Sequence, residues 1–231
     1  MQEKGIGSAN AVYLTGANLD RWWAPSLRYG AGNGLGAWAK VDIAALLKTD
    51  RNGHGVVFGL MMEAFNNSTQ FMTDDDLKSI AVYLKSLPQA AEPVWAYDAA
   101  TMAKFTSGGA TDAAADIFLR KCSYCHGRDG KGRGEFLPPL VGASSLVAAA
   151  PDSVMNIILN GASRVVANGV PDSYRVPTFC VQLRDEDVAA VASFVRQAWG
   201  NTGTPVTAAE VKDLRDRTNP SSDRVIVLQM R

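Results

Sequence analysis

Cys122-Ser123-Tyr124-Cys125-His126 is the stretch on which the reading of this 231-residue chain turns. Two thiols one helical turn apart, followed at once by an imidazole, suit one chemical task. The cysteines reach the two vinyl groups of a porphyrin as thioethers, and the histidine then faces the iron. This is the pattern of c-type haem attachment. Two other uses of such residues fit less well. A zinc site wants four ligands, and outside the pentad only His54 and Cys180 remain, far apart in sequence. A thioredoxin-type dithiol follows a strand in an α/β pattern, which the periodicity does not show. Attachment of one covalent haem c through Cys122 and Cys125, with His126 as the metal ligand, is the favoured reading.

Composition narrows the remaining classes. The chain is 47% apolar and 20% charged, an ordinary globular mixture with room for one large or two small cores. Lysine plus arginine and aspartate plus glutamate both total 23, so formal net charge is zero. A neutral chain with no basic run argues against nucleic acid as a partner. Three cysteines exclude a disulfide scaffold. Residues 1–7 have no apolar core of a signal peptide, and no apolar run approaches the roughly 18 residues that span a bilayer. As written, the chain is expected to be soluble. No paired carboxylates, Ser/His/Asp set or phosphate loop stand at a convincing spacing, so no catalytic residue is assigned.

Outward from the pentad the apolar period is helical, and no alternating strands stand out. Residues 42–48 begin with Asp42, a possible cap, and carry apolar groups at helical spacing. A helix from Thr73 carries Asp74, Asp75 and Asp76 in its positive first turn and a stripe of Leu77, Ile80, Ala81, Leu84 and Leu87, stopped by Pro88. Residues 89–110 lose the period and read as a linker. Thr111 or Asp112 caps a helix with Ile117 and Phe118 inside. Further helices are expected around Ser153–Leu159, from Asp185 with Val188, Val191, Ala192, Val195 and Trp199, and over Thr207–Arg217 with a Thr207/Glu210 capping pair.

The halves align on each other. Ile43 falls on Val154 and Leu77 on Val188, both at an offset of 111, and Pro25/Leu27 matches Pro138/Leu140 at 113. A shared offset over two helices and a turn favours internal duplication. The expected fold is all-α, with two tandem units: 1–88, a linker 89–110, 111–201 and a tail 202–231 with a short helix.

These residues resemble class I cytochrome c domains, and more closely the multi-haem cytochrome c subunits of bacterial membrane-bound dehydrogenases for alcohols, gluconate and sugars. The resemblance is carried by residues 122–132, Leu-Pro-Pro-Leu (137–140), Ile-Leu-Asn-Gly-Ala (158–162), Pro-Asp-Ser-Tyr-Arg-Val-Pro-Thr-Phe (171–179) and 194–201. In the first half it rests on Trp-Ala-Pro-Ser-Leu (23–27), Gly-Leu-Gly-Ala-Trp (34–38) and residues 80–88. It implies that Pro138 accepts the histidine's ring N–H through its carbonyl, that Pro138 and Leu140 cover the ring, and that the unit 111–201 binds haem. It also implies an electron-transfer subunit rather than a catalyst. Such a subunit is reduced by a flavin- or PQQ-type dehydrogenase partner and reoxidised by a membrane quinone or another haem. Its location is the periplasmic face, membrane-associated through the complex.

Two departures from the family pattern matter. The family places a methionine in its Tyr-Arg-Met-Pro stretch, where this chain has Val176. Valine cannot bind iron, so the iron is expected to be five-coordinate or served by Tyr174, Cys180 or Met155. That opens a rival expectation of peroxidase-like or gas-binding activity. The first half has Met61 at the equivalent place but no Cys-x-x-Cys-His, which in the family stands just before a segment like residues 1–5. The chain therefore reads as the C-terminal part of a longer multi-haem cytochrome, or as a truncated fragment without redox function. For this chain alone, Met61 is expected to be a core methionine. His54 is expected to be a solvated loop residue, Cys180 a small buried hydrophobe, and Trp22, Trp23 and Trp38 core or pocket lining. Arg128, Lys131 and Arg133 are expected to form a solvated loop, with the docking of an acidic partner as the lesser reading.

Overall fold

The computed structural model describes residues 13–28, 35–88, 95–106, 112–134, 136–162 and 165–218. The first half opens with a hairpin of β1 (Ala17–Leu19) and β2 (Trp22–Ala24). There follow α1 (Lys40–Thr49), the two-residue hairpin β3 (Arg51–Asn52) and β4 (Gly55–Val56), α2 (Met61–Asn67) and α3 (Asp74–Ser86). The second half holds α4 (Ala100–Thr106), α5 (Ala113–Lys121), α6 (Ser123–His126), α7 (Ser144–Val147) and α8 (Asp152–Asn160). It ends with the hairpin β5 (Val166–Ala167) and β6 (Val170–Pro171), α9 (Asp185–Gln197) and α10 (Ala208–Thr218).

The helices α1, α3, α5, α8, α9 and α10 form where the apolar period placed them, and their ends have local causes; α2, α4 and α7 lie where the period placed none. Asp112 caps α5 by accepting from the Ala115 N–H at 2.8 Å, and Thr73 caps α3 through the Asp76 N–H at 3.2 Å. Thr207 and Glu210 cap α10 reciprocally. Asp42 is not a cap: α1 begins at Lys40, and Asp42, now in the first turn, accepts from the Ala39 N–H at 2.8 Å. Thr111, the other proposed cap of α5, lies outside the described residues, as do residues 1–12, 89–94, 107–111 and 219–231 of the expected units, linker and tail.

Four expectations are corrected. Short hairpins accompany the helices, where none were expected, because two- and three-residue strands are too brief to show a period. Residues 89–110 include α4, whose Phe105 packs on Phe118 and Phe194 with ring centroids 6.5 and 6.0 Å away. The tail 202–231 includes α10, which packs on α8 and α9 and buries Val211 and Leu214 completely. Of its charges, Arg215 turns back onto Asp185 and the Cys180 and Leu183 carbonyls, and Asp213 pairs with Arg21. Finally, α9 stops at Gln197, and Trp199 sits beyond it with a left-handed φ of 57°, yet its side chain is fully buried.

The main core lies in the second half, where α5, α8, α9 and α10 bury Phe118, Leu159, Val188, Val191 and Trp199. A smaller core joins α1 and α3 in the first half through Ile43 and Ala81. A third cluster, Val57, Met62, Phe65 and Val165, has members from both halves. The halves also meet where Arg21 reaches Asp152 and Asp213, and where Ser153 Oγ accepts from the Trp23 N–H at 2.8 Å.

Candidate haem centre

Cys122 stands at the junction of α5 and α6. Its carbonyl accepts from both the Cys125 N–H at 3.2 Å and the His126 N–H at 3.0 Å. This single turn places both sulfurs and the imidazole on one short helix, all three half-buried. Gly127 ends the turn with φ 74° and Gly132 returns the chain with φ 73°, its N–H donating to the His126 carbonyl at 2.8 Å. Such angles favour glycine. A Cβ on Gly132 would come within 2.1 Å of the Leu137 carbonyl oxygen and 2.7 Å of the Pro138 carbonyl carbon. That close return delivers the Pro138 carbonyl oxygen to His126 Nδ1 at 2.9 Å.

The electrostatics follow from this geometry. Burial pushes the His126 pKa below its usual value, with the Pro138 hydrogen bond opposing, so the imidazole is neutral at pH 7. A neutral ring that donates from Nδ1 keeps a lone pair on Nε2, the form an iron ligand requires. The Cys122 thiol is pushed up to about 12, first by burial, then by Cys125, with Lys121 opposing. It is a protonated thiol in a dry setting rather than a poised thiolate. A buried thiol of this kind is unlike the low-pKa thiolate of a thioredoxin-type dithiol and suits a thioether, which carries no charge. Among the described residues no group of three or more His, Cys, Asp or Glu could hold a metal ion by itself.

Around the turn, Leu140, Val141, Ile158, Phe179 and Cys180 are half-buried apolar side chains on the edge of the main core. Leu140 is held by Asn201, whose side-chain N–H donates to the Leu140 carbonyl at 3.1 Å while its oxygen accepts from the Gly142 N–H at 2.9 Å. Trp199 Nε1 donates to the Arg128 carbonyl at 3.2 Å, and its ring lies against Gly130. Sequence reasoning assigned no role at this site to Asn201, Gly130 or Gly132. The Gly130-x-Gly132 pair behind the pentad was the available signal.

Val176 lies in irregular chain, its carbonyl accepting from the Ala162 N–H at 2.9 Å. Of the three substitute ligands considered, Met155 is 3% exposed within the main core, and Cys180 Sγ accepts from the Thr178 hydroxyl at 3.2 Å. Tyr174 is exposed and tilts against Phe136 at 5.2 Å. In the first half, the expectation for Met61 fails: it is 37% exposed at the start of α2, whereas Met62, one helical position on, faces the core at 3%. His54 is exposed and stacks on Trp38 at 4.7 Å. Trp22 meets Phe58 edge-on at 6.0 Å. Arg128, Lys131 and Arg133 are exposed, with Lys131 Nζ lying 4.5 Å from the centre of the Tyr97 ring.

Comparison with known proteins agrees with this geometry. The cytochrome c family pattern matches residues 111–199. Cytochrome c-552 of Thermus thermophilus is 32% identical over 130 residues, covering 49% of this chain and 84% of that protein. The chain belongs to the cytochrome c family. It is also similar, over nearly its whole length, to cytochrome c subunits of dehydrogenases. The subunit of alcohol dehydrogenase (quinone) of Gluconobacter oxydans is 38% identical over 228 residues, covering 96% of this chain and 48% of that protein. The gluconate 2-dehydrogenase cytochrome c subunit of Pantoea cypripedii is 34% identical over 225 residues, with 93% and 50% covered. The chain thus spans about half the length of these curated relatives. No helix among the described residues is long and apolar enough to cross a membrane.

Proposed function

We propose that the chain carries electrons within a dehydrogenase complex, as part of a cytochrome c subunit with one haem c attached through Cys122 and Cys125. The observation that carries this reading is the 2.9 Å contact of His126 Nδ1 with the Pro138 carbonyl, on the same turn that brings the two cysteines together. His126 Nε2 is the iron ligand. Nδ1–H donates to Pro138, which fixes the ring's tautomer and orientation and raises its basicity. Leu140, Ile158 and Phe179 exclude water from the porphyrin face. The haem, when bound, supplies one-electron transfer. The chain supplies ligation, burial and an exposed edge for a redox partner. Tyr124, 85% exposed within the attachment turn, marks that edge.

The partner is a dehydrogenase catalytic subunit of flavin or PQQ type, with a membrane quinone or another haem as acceptor. The complex works on the periplasmic face. Two tandem cytochrome c-like units make up the chain. In support, α3 and α9 have the same length of 13 residues and begin 111 positions apart. Val176 leaves the second unit's haem without methionine ligation, which lowers its reduction potential. The test is expression of the chain with the c-type maturation machinery, followed by haem staining of a denaturing gel and a pyridine haemochrome spectrum. A stained band that disappears in Cys122→Ala/Cys125→Ala supports the proposal. An unstained wild-type band refutes it.

A further inference from the structure

The hairpin β5–β6 leads directly into the Val176 stretch, yet little of its support comes from its own half. A two-stranded hairpin of two residues per strand is not stable alone. The outer edge of β5 is paired instead by side-chain amides of the first half. Asn66 Oδ1 accepts from the Val166 N–H at 2.9 Å. Gln70 Nε2 donates to the Val166 carbonyl at 3.0 Å, and Gln70 Oε1 accepts from the Asn168 N–H at 2.8 Å. Gln70 is only 6% exposed, so these bonds are made out of water's reach, where an unpaired partner is costly. Val165 and Ala167 pack on Val57, Met62 and Phe65. One turn later, Arg51 pairs with Asp172 as well as with its neighbour Asp50, and its guanidinium lies 5.0 Å from the centre of the Phe136 ring. Phe136 in turn carries Tyr174.

We propose that the first half is the scaffold of the second half's distal segment: Asn66, Gln70 and Arg51 hold residues 165–172 and thereby position the Val176 stretch on the distal side of the haem. This rests on the proposed function, which makes His126 the proximal ligand and the Val176 stretch its distal counterpart. These three are positioning residues, since the groups they hold are Val166, Asn168 and Asp172 and not the attachment turn. Access to the iron is then set across the boundary between the halves.

The test uses the full, haem-loaded chain and the variants Gln70→Leu and Arg51→Gln, with the exposed Lys78→Ala as control. Backbone amide exchange is followed by mass spectrometry, and carbon monoxide is added to the ferrous protein by rapid mixing. Exchange over 165–176 and the carbon monoxide association rate are both expected to rise about tenfold, the effect of losing local rather than global stability. Exchange in α5 and α9, haem content and the control should stay unchanged. Equal increases in α5 and α9 would overturn the proposal by showing general destabilisation. So would unchanged exchange over 165–176, or a carbon monoxide rate that ignores faster exchange there. If Gln70→Leu does not accumulate, Arg51→Gln, which removes the ion pairs with Asp172 and Asp50 and the contact with Phe136, carries the same test through the unchanged exchange required of α5 and α9. A wild-type chain without a haemochrome spectrum refutes the haem reading itself, independently of these outcomes.

Discussion

Replacing Gly132 by alanine separates two costs that Gly134→Ala does not combine. Both glycines are left-handed, at φ 73° and 60°. A Cβ on Gly134 meets nothing within 4 Å, so Gly134→Ala incurs only backbone strain, about 1 kcal/mol. A Cβ on Gly132 lands 2.1 Å from the Leu137 oxygen and 2.9 Å from the Pro138 oxygen, so the two chain segments must part by about 1 Å. Parting them breaks the Arg133 N–H to Leu137 carbonyl bond at 2.9 Å and the His126–Pro138 bond, each worth about 1 kcal/mol. Gly132→Ala should therefore cost about 3 kcal/mol. At roughly 2–4 °C per kcal/mol for a chain of this size, its midpoint falls about 9 °C against about 3 °C for Gly134→Ala. Thermal unfolding by circular dichroism reads both. The haem-loaded Gly132→Ala protein should also show a higher reduction potential, because the imidazole loses the acceptor that raises its basicity. Equal destabilisation of the two variants, or an unmoved potential, would refute the claim that the Gly132 close approach holds Pro138 against His126.

Phe118→Ala removes a fully buried ring in contact with Phe194 at 5.3 Å and Trp199 at 5.1 Å, and should cost about 3–5 kcal/mol in chemical denaturation. In the haem-free chain, with a thiol pKa of about 12, only about one Cys122 in ten thousand is thiolate at pH 8. Timed iodoacetamide labelling should find it the last cysteine alkylated. Burial depresses the folded-state pKa of His126, so the unfolded chain takes up the proton first as pH falls. The haem-free chain should thus keep its stability above the ordinary imidazole value of 6.5 and lose some below it, and His126→Gln should flatten that slope in melting curves from pH 8 to 5. Val176→Met should give the ferric haem protein a methionine–iron charge-transfer band that the parent lacks, and a higher potential; a band already present in the parent refutes the valine argument.

The candidate site was legible because its residues are local. Cys122, Cys125 and His126 lie within one turn, and a turn is what sequence spacing specifies best. The helices with strong stripes were legible for the same reason, as with Leu77 and Ala81 or Val188 and Val191. What escaped was set by packing. The expected linker hides α4 because seven residues show too little period to be recognised until Phe105 meets Phe118. The expected tail is part of the core because Val211 and Leu214 occupy one face of an otherwise charged helix. Met61 and Met62 could not be told apart without knowing where α2 starts. Asn201 lay within the family-like stretch, but its two-way hold on Leu140 and Gly142 depends on a fold that brings residues about sixty positions apart together.

On the proposed tandem reading, the departures from exact repetition lie where the halves meet. The hairpins β3–β4 and β5–β6 are offset by 115 positions, while α3 and α9 are offset by 111. The stretch between hairpin and helix is therefore shorter in the second half: residues 172–184 against 57–73. The longer version forms α2 and a helical turn at Thr69–Phe71, which carry Met62, Phe65, Asn66 and Gln70. The shorter version is irregular and holds Val176. A segment without helix or ladder must find partners elsewhere for its backbone groups. The Val176 stretch finds them in its own half, at Ala162, Ile158 and Leu159, while Asn66 and Gln70, on the helix and turn that the second half lacks, bond Val166 and Asn168 of the preceding hairpin. The extra residues of one half thus satisfy the other, and a variant that shortens 57–73 should disturb the Val176 stretch before it disturbs α1 or α3.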